Sequence, residues 1–417
     1  MPMVLPEEFV RYTKALFGEE RFARYLAAFD DEPPVSIRLN PSTHHLPPIT
    51  HHPVPWCRDA YYLDHRPNFT FDPLLHAGCY YVQEAASMFL DTVLRQYLPD
   101  HPVMMLDMCA APGGKSTLAR AALPEGSVLF SNEPIRQRAN ILLENITKWG
   151  YPNCFVSNNY PKDYRKSRLK FDVILCDVPC SGEGMFRKDP ATIGEWSPQN
   201  VERCAQLQRD IVSDAWACLN DGGMLVYSTC TFNTKENEEN VRWMMDELDA
   251  CVLPVETRTD WQIIGSLLAG FDKPVYRFFP GITQGEGLFM CVLRKGETYH
   301  PVCRKQTPSF LTGNPQFAVS KLGLCLLEAP ALRTDGPSVD LSYQQAIAYL
   351  RREALVLPPE TPRGLVQVSF LGYPLGLVKN IGSRANNLYP KEWAIRSTHV
   401  PQAYDPVIIS DDLFMDI

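Results

Sequence analysis

The sequence has no Cys-x-x-Cys pair among its 13 cysteines, so a zinc ribbon is not expected. The cysteine count is odd and shows no framework spacing, which argues against a disulfide scaffold. Free thiols of this kind suit a reducing cytoplasm. No apolar run approaches the roughly 18 residues of a membrane span. Met1 to Glu8 lacks a basic patch followed by an apolar core, so no secretory signal is expected. No internal repeat is found. An excess of positive charge is missing too, with a net charge of −8 and a pI near 5.7. As an average this weighs against a nucleic-acid partner, but binding uses the local field.

What is present is ordinary globular material. The 417 residues are 45% hydrophobic, enough for two or three domains. Positive charge is local: Lys162-Asp-Tyr-Arg-Lys-Ser-Arg-Leu-Lys170 carries five basic residues against one acid. Arg187-Lys188 follows a cysteine loop, and Lys379, Arg384, Lys391 and Arg396 fall near Tyr389 and Trp393. Each cluster alone reads as a solvated face. Together, beside chemistry and aromatics, they point to RNA.

The rhythm of the chain changes along its length. Residues 6–30 carry apolar residues at helical intervals. Residues 31–75 are rich in proline and histidine, with a strand-like piece at Val35 to Leu39, so 1–75 reads as a small N-terminal module. Residues 76–295 alternate short apolar strands with amphipathic stretches, the mark of an α/β parallel sheet. Strands are expected at 103–107, 127–131, 154–156, 173–177, 224–228 and 288–293. Helices are expected at 114–123, 135–149, 198–219 and 234–248, the third ended by Gly222-Gly223. Residues 296–344 read as a linker or insertion. A short helix at Tyr343 to Glu353 and two strands around Gly372-Tyr-Pro374 make 345–417 a small β-rich domain.

Leu106-Asp-Met-Cys-Ala-Ala-Pro-Gly-Gly-Lys-Ser116 follows a strand and opens a helix. Glycines there admit a ligand close to the backbone, and the helix start offers free N–H groups. A Walker A loop is excluded because Cys109 stands where its first glycine is needed. Glu133, at the end of the second strand, suits the hydroxyls of a ribose. Asn159 ends the third strand and suits an adenine edge; Asp177 ends the fourth. An adenosine-bearing cofactor accounts for these positions together.

Two cysteines stand at further strand ends: Cys180 in Asp177-Val-Pro-Cys-Ser-Gly-Glu-Gly184, and Cys230 in Tyr227-Ser-Thr-Cys-Thr231. Ligands collect at that edge of a parallel sheet. Two thiols delivered there offer a nucleophile and a base, which methylation of cytosine at carbon 5 requires. Chemistry alone does not say which thiol attacks.

Met108-Cys-Ala-Ala-Pro-Gly-Gly-Lys-Ser116, the Pro179-Cys180 string and the Thr229-Cys230 string resemble the motifs of the Nol1/Nop2/Sun RNA cytosine-5 methyltransferases. Ile37-Arg-Leu-Asn-Pro41 looks like that family's Arg-x-Asn element. Gly376-Leu-Val-Lys379 and Asn386-Asn-Leu-Tyr-Pro-Lys391 resemble the PUA-like tail of the bacterial branch that modifies 16S ribosomal RNA. The resemblance implies a Rossmann-like sheet binding S-adenosylmethionine through Cys109, Ala110, Ala111, Pro112, Gly113, Gly114 and Lys115, with Glu133, Asn159 and Asp177. It implies Cys230 as nucleophile, Cys180 as the residue aiding proton removal and release, and Asp177 on the base. Asn159 departs from the aspartate the family often carries there. The expected partner is RNA, 16S rRNA or the small ribosomal subunit, gripped by residues 1–75 and a PUA-like 345–417. Neither metal nor membrane is expected, and a monomer is the default. Two rivals stay open: a DNA cytosine-5 methyltransferase, in which Cys180 would attack, and a non-catalytic RNA-binding or assembly factor on the same scaffold.

Overall fold

The computed structural model describes residues 4–43, 52–296, 315–397 and 399–408. Its strands in chain order are β1 Val35–Leu39, β2 Ala60–Leu63, β3 Tyr80–Val82, β4 Met104–Asp107, β5 Val128–Asn132, β6 Cys154–Ser157, β7 Phe171–Asp177, β8 Leu219–Thr229, β9 Ala250–Leu253, β10 Tyr276–Phe278, β11 Leu288–Lys295, β12 Ser338–Asp340, β13 Gly364–Phe370, β14 Tyr373–Asn380 and β15 Ala385–Asn387. The continuous apolar runs of the middle region build an eight-stranded sheet in the order β10-β11-β8-β7-β4-β5-β6, with β9 also pairing β11. Strands β4 to β8 are mutually parallel, and β11 runs antiparallel to β8. This is the expected Rossmann-like sheet. Strand order reverses between β4 and β7, so a crevice opens at their carboxyl ends.

The helices that cover this sheet follow from local sequence. In Pro198–Cys218 the Ser197 side chain accepts from the Asn200 N–H at 3.1 Å, and proline stands at the first turn. Val201, Cys204, Ala205, Gln208, Ile211, Val212 and Ala215 recur at three- and four-residue steps and are buried. Truncating Ile211 to alanine there would cost about 2–5 kcal/mol. The helix stops at Cys218. Gly222, with φ 76°, and Gly223 do not end it; they lie within β8, beside a register shift between β7 and β8. A left-handed glycine serves a bulge as well as a helix end.

Three further units pack on this body. Residues 6–30 form two helices, Glu7–Phe17 and Glu19–Ala27, broken at Gly18. Their Phe9, Phe17 and Tyr25 join Phe186, Trp196, Phe232 and Phe279 in one aromatic cluster. Antiparallel β2-β1-β3 forms a small sheet, whose third strand lies beyond residue 75. The Arg-x-Asn element is buried in it. Arg38 donates to Gln83 and to Thr117 Oγ1 at 2.7 Å and lies 4.5 Å over the Trp149 ring. Asn40 donates to the Gly78 and Trp149 carbonyls. These two side chains bracket the N-terminal sheet to the catalytic body. The sheet β12-β13-β14-β15 and the helix Tyr343–Leu350 form the C-terminal unit. They share a core with Ile37, Phe71, Leu74 and Tyr80 of the N-terminal region.

Part of the expected linker lies outside the described residues, at 297–314. The rest is not a free tether. Val319 and Leu324 are buried in the main core, and Leu326 bridges to Ser157 on the β6 edge.

Candidate active site

The candidate cofactor cradle lies where β4 runs into the helix Gly114–Ala122. Gly113 caps that helix with φ 116°, a conformation side chains rarely adopt, and a Cβ there would meet Leu142 Cδ1 at 3.2 Å. Cys109 and Ala110 are buried, while Pro112 is exposed. Lys115, in the first helical turn, reaches across the crevice to Asp177 Oδ2 at 2.8 Å. Burial alone would lower the Lys115 pKa, but the charge and hydrogen bond of Asp177 raise it, so it is a cation. Ser228 Oγ donates to the other oxygen, Asp177 Oδ1, at 2.6 Å. The ends of three strands are therefore tied by side chains. Behind them Asp107 is buried and accepts from Ser116 Oγ at 2.6 Å; burial pushes its carboxyl up to about 7.

Glu133 follows β5 and is buried. Its Oε1 accepts from the Ile135 N–H at 3.0 Å. Its Oε2 has no hydrogen bond, and its ion-pair partner Arg138 Nη1 stands at 3.4 Å. A buried acceptor without a donor fits a pair of ribose hydroxyls. Asn159 lies two residues beyond the end of β6. Its Nδ2 donates to the Cys325 carbonyl at 3.1 Å, and its Oδ1 accepts from the Cys325 N–H at 2.9 Å. The side chain thus clamps the strap of residues 322–327, leaving one lone pair of Oδ1 for an adenine amino group.

The two cysteine loops leave the sheet side by side, because Asp177 of β7 and Ser228 of β8 are in register. Cys180 and Cys230 are half-buried, with sulfurs 3.2 Å apart. The hydrogen bond to Cys230, then burial, hold the Cys180 thiol well above its ordinary pKa. Ser181 and Thr231, the residues after each cysteine, share a hydroxyl contact of 2.9 Å. The structure brings together Cys180, Cys230, Asp177 and Lys115.

Other expectations fare differently. Lys162, Arg165, Lys166, Arg168 and Lys170 are exposed, as a basic face requires. Arg187 does not belong to an open basic face: its side chain is buried against Glu286 and donates to the Ala28 carbonyl at 2.8 Å. Tyr389 and Trp393 are core residues, facing Lys148 at 5.9 and 5.7 Å, and not open stacking platforms. Sequence reasoning also missed buried Glu183, Gln208 and Glu236 with part-buried Asn233, a polar group behind the cysteines. The only trace in the sequence was an acid within six residues of each cysteine. Among the described residues no group of three metal-ligating side chains is found, and no helix is long and apolar enough to cross a membrane.

Comparison with known proteins places this geometry. Residues 96–294 match the family described as 16S rRNA methyltransferase RsmB/F. Residues 5–85 match the N-terminal domain of 16S rRNA methyltransferase RsmF, and 337–395 the methyltransferase RsmF PUA domain. The ribosomal RNA small subunit methyltransferase F of Salmonella heidelberg is 30% identical over 416 residues, 82% of this chain and 84% of that protein. The protein of the same description from Pectobacterium atrosepticum is 33% identical over 279 residues, covering 64% of this chain but only 55% of its own length. Among solved structures, NSun6 from Pyrococcus horikoshii with SFG superposes with a TM-score of 0.58 at 21% identity, over 72% of this chain and 100% of that one. A methyltransferase homolog from the same organism gives 0.56 at 23%, over 70% and 100%. At such identities the two structures speak for the fold.

Proposed function

The chain belongs to the ribosomal RNA small subunit methyltransferase F family, and we propose that it methylates carbon 5 of a cytosine in 16S rRNA through a transient cysteine–cytosine bond. The observation that carries this reading is the sulfur pair, 3.2 Å apart beside the cradle that Lys115 ties to Asp177. S-adenosylmethionine, when bound, supplies a methyl carbon made electrophilic by its sulfonium. The loop from Cys109 to Lys115 would hold it by main-chain N–H groups, with Glu133 on the ribose, Asn159 at the adenine end and Asp177 at the reacting end.

Cys230 attacks carbon 6 of the base, forming a sulfur–carbon bond and giving carbon 5 enamine character. Cys180 gives its own proton to solvent and, as the thiolate, takes the proton from carbon 5 after methyl transfer. The electron pair of that C–H bond restores the ring double bond and expels Cys230. Asp177, paired with Lys115 and Ser228, is placed to orient the polar edge of the base. The base must arrive unstacked, which loops and single strands of RNA permit. The N-terminal module and the PUA-like unit would grip the RNA, and a reducing cytoplasm would keep both thiols free.

The test is covalent capture. Cys230→Ala should abolish both methylation and a denaturation-resistant RNA adduct. Cys180→Ala should leave protein stuck to RNA, since attack proceeds and release does not. An adduct with the Cys230 variant but not the Cys180 variant would reverse the roles. Failure of the intact chain to transfer label from S-adenosylmethionine to carbon 5 of a 16S rRNA cytosine would sink the reading.

A further inference from the structure

Behind the two sulfurs lies a set of bonds that the chemistry above does not use. Glu183 stands three residues after Cys180, yet its Oε2 accepts from the main-chain N–H groups of Phe232 and Asn233, at 2.7 and 2.9 Å, in the other cysteine's loop. Glu236 stands six residues after Cys230, yet its Oε2 accepts from the Ser181 N–H at 3.0 Å, in the Cys180 loop. The same oxygen accepts from Gln208 Nε2 at 2.7 Å, and that amide also donates to the Pro179 carbonyl at 2.9 Å. Asn233 Nδ2 lies between the two acids, 3.1 Å from Glu183 and 2.8 Å from Glu236. Each acid is thus anchored in one loop and grips main chain beyond the cysteine of the other, at the next residue for Glu236 and two and three residues on for Glu183.

Both carboxylates are buried, at 3% and 0% exposure. Burying two acids side by side costs several kcal/mol unless donors surround them. Here the donors are supplied: Glu183 receives four N–H groups, counting Trp196 Nε1 at 2.9 Å, and Glu236 receives three. An ionised carboxylate offers about four acceptor sites and no donor; burial pushes the Glu236 carboxyl up to about 7, and the donors from Ser181, Asn233 and Gln208 act in the opposite sense, towards the ionised form. A glutamine at either position would turn an N–H group towards other N–H groups. The pattern therefore calls for acids, and it fixes main chain, not side-chain packing.

We propose that Glu183 and Glu236 are positioning residues that form a crossed clamp, each setting the place of the cysteine in the opposite loop and together fixing the spacing of the two sulfurs. The proposal rests on the cysteine chemistry above and adds to it a relation which that chemistry does not contain. With Glu236 altered, the Ser181 peptide and the Pro179 tether loosen, while the Cys230 loop is still held by Glu183. Cys180 is then misplaced and Cys230 is not. With Glu183 altered the converse holds. A displacement near 1 Å is enough to cost roughly 10–100-fold in a positioned step.

The experiment compares Glu183→Gln and Glu236→Gln with Cys180→Ala and Cys230→Ala in the full chain, using 16S rRNA and S-adenosylmethionine. Formation of the covalent RNA adduct and its decay to product are timed separately. The expected phenotypes are crossed. Glu236→Gln should form adduct at close to the normal rate and release it roughly 10–100-fold slowly, as Cys180→Ala does. Glu183→Gln should form adduct slowly, as a weakened Cys230 would. Cofactor affinity, measured without RNA, should stay within about threefold in both, a difference under 1 kcal/mol. If either glutamine variant fails to fold, Glu183→Asp and Glu236→Asp keep the charge but shorten the tether, and carry the same crossed expectation. Variants that each mimic the cysteine of their own loop, or that slow both steps equally, would overturn the clamp. If the cysteine variants themselves exchange phenotypes, the role assignment falls. The clamp is still judged by whether each glutamate variant follows the cysteine of the opposite loop.

Discussion

Glu133 gives the sharpest test of the cofactor cradle, because the structure sets opposite signs for binding and for stability. One oxygen of this buried carboxylate accepts from the Ile135 N–H at 3.0 Å; the other has no hydrogen bond, with Arg138 at 3.4 Å as its ion-pair partner. Leaving such an oxygen without a donor costs about 1–3 kcal/mol. Ribose hydroxyls would provide the missing donors. Glu133→Gln keeps the shape and the acceptor for Ile135 but removes the charge and one acceptor. The loss on binding is that of one charge-assisted hydrogen bond, about 1.5–3 kcal/mol, or roughly 10–150-fold in Kd. The unbound protein loses only a loose pair with a half-exposed arginine, about 0–1 kcal/mol, and is relieved of a buried charge. Its melting temperature without ligand should hold or rise. Calorimetric titration with S-adenosylmethionine and a ligand-free thermal melt read the two quantities. A Kd within about threefold of the parent would refute the ribose role. A melting temperature that falls in step with affinity would show a structural role instead.

Two further outcomes are expected. Asp107, held at about 7 in the folded chain by burial, titrates near 3.9 when unfolded. The folded state therefore keeps a proton that the unfolded state loses, and its advantage is complete below about pH 4 and gone above about pH 7. Asp107→Asn removes this titration, so its stability relative to the parent should improve across that window by up to a few kcal/mol and then level off; urea unfolding at several pH values checks it, and a pH-independent difference would refute it. The exposed Lys379 and Arg384 of the C-terminal unit are expected on RNA phosphates, so their double alanine variant should weaken RNA binding, flatten the salt dependence by about 0.7–0.9 per lost contact and spare cofactor binding; an unchanged slope would remove this face from the RNA interface. Deleting the unit is a poorer test, because it shares a core with Ile37, Phe71, Leu74 and Tyr80.

The sequence was most legible where one short segment decides the outcome. The apolar runs before Asp107, Asn132, Ser157 and Asp177 became parallel strands because nothing else can bury them on both faces. The glycine loop and both cysteines followed, since each sits directly after such a run. Legibility failed where the deciding partner is far away in sequence. Tyr389 and Trp393 looked like exposed aromatics beside lysines, but the core they fill includes residues more than 300 positions earlier. Arg187 looked available, yet Glu286, 99 residues on, neutralises it. Asn159 could not be read as a clamp without knowing that Cys325, 166 residues away, returns to the β6 edge. Gly222-Gly223 failed for another reason: the left-handed glycine that stops a helix also serves a bulge, and only strand pairing distinguishes them.

The same contrast explains why cradle and thiols belong to one mechanical unit. Cys180 lies three residues beyond Asp177 and Cys230 two beyond Ser228, and those two strand ends pair in register. A slip of one residue between β7 and β8 would carry one sulfur about 3.3 Å along the sheet and turn side chains to the opposite face. The sulfurs would then no longer flank one ring bond. What opposes the slip at the site itself is Asp177, held from one side by Ser228 of β8 and from the other by Lys115 of the cofactor loop. A ligand held by the Lys115 loop would therefore bear on the register that sets the sulfur spacing. On the function proposed above, the methyl donor and the two sulfurs would meet at this one carboxylate.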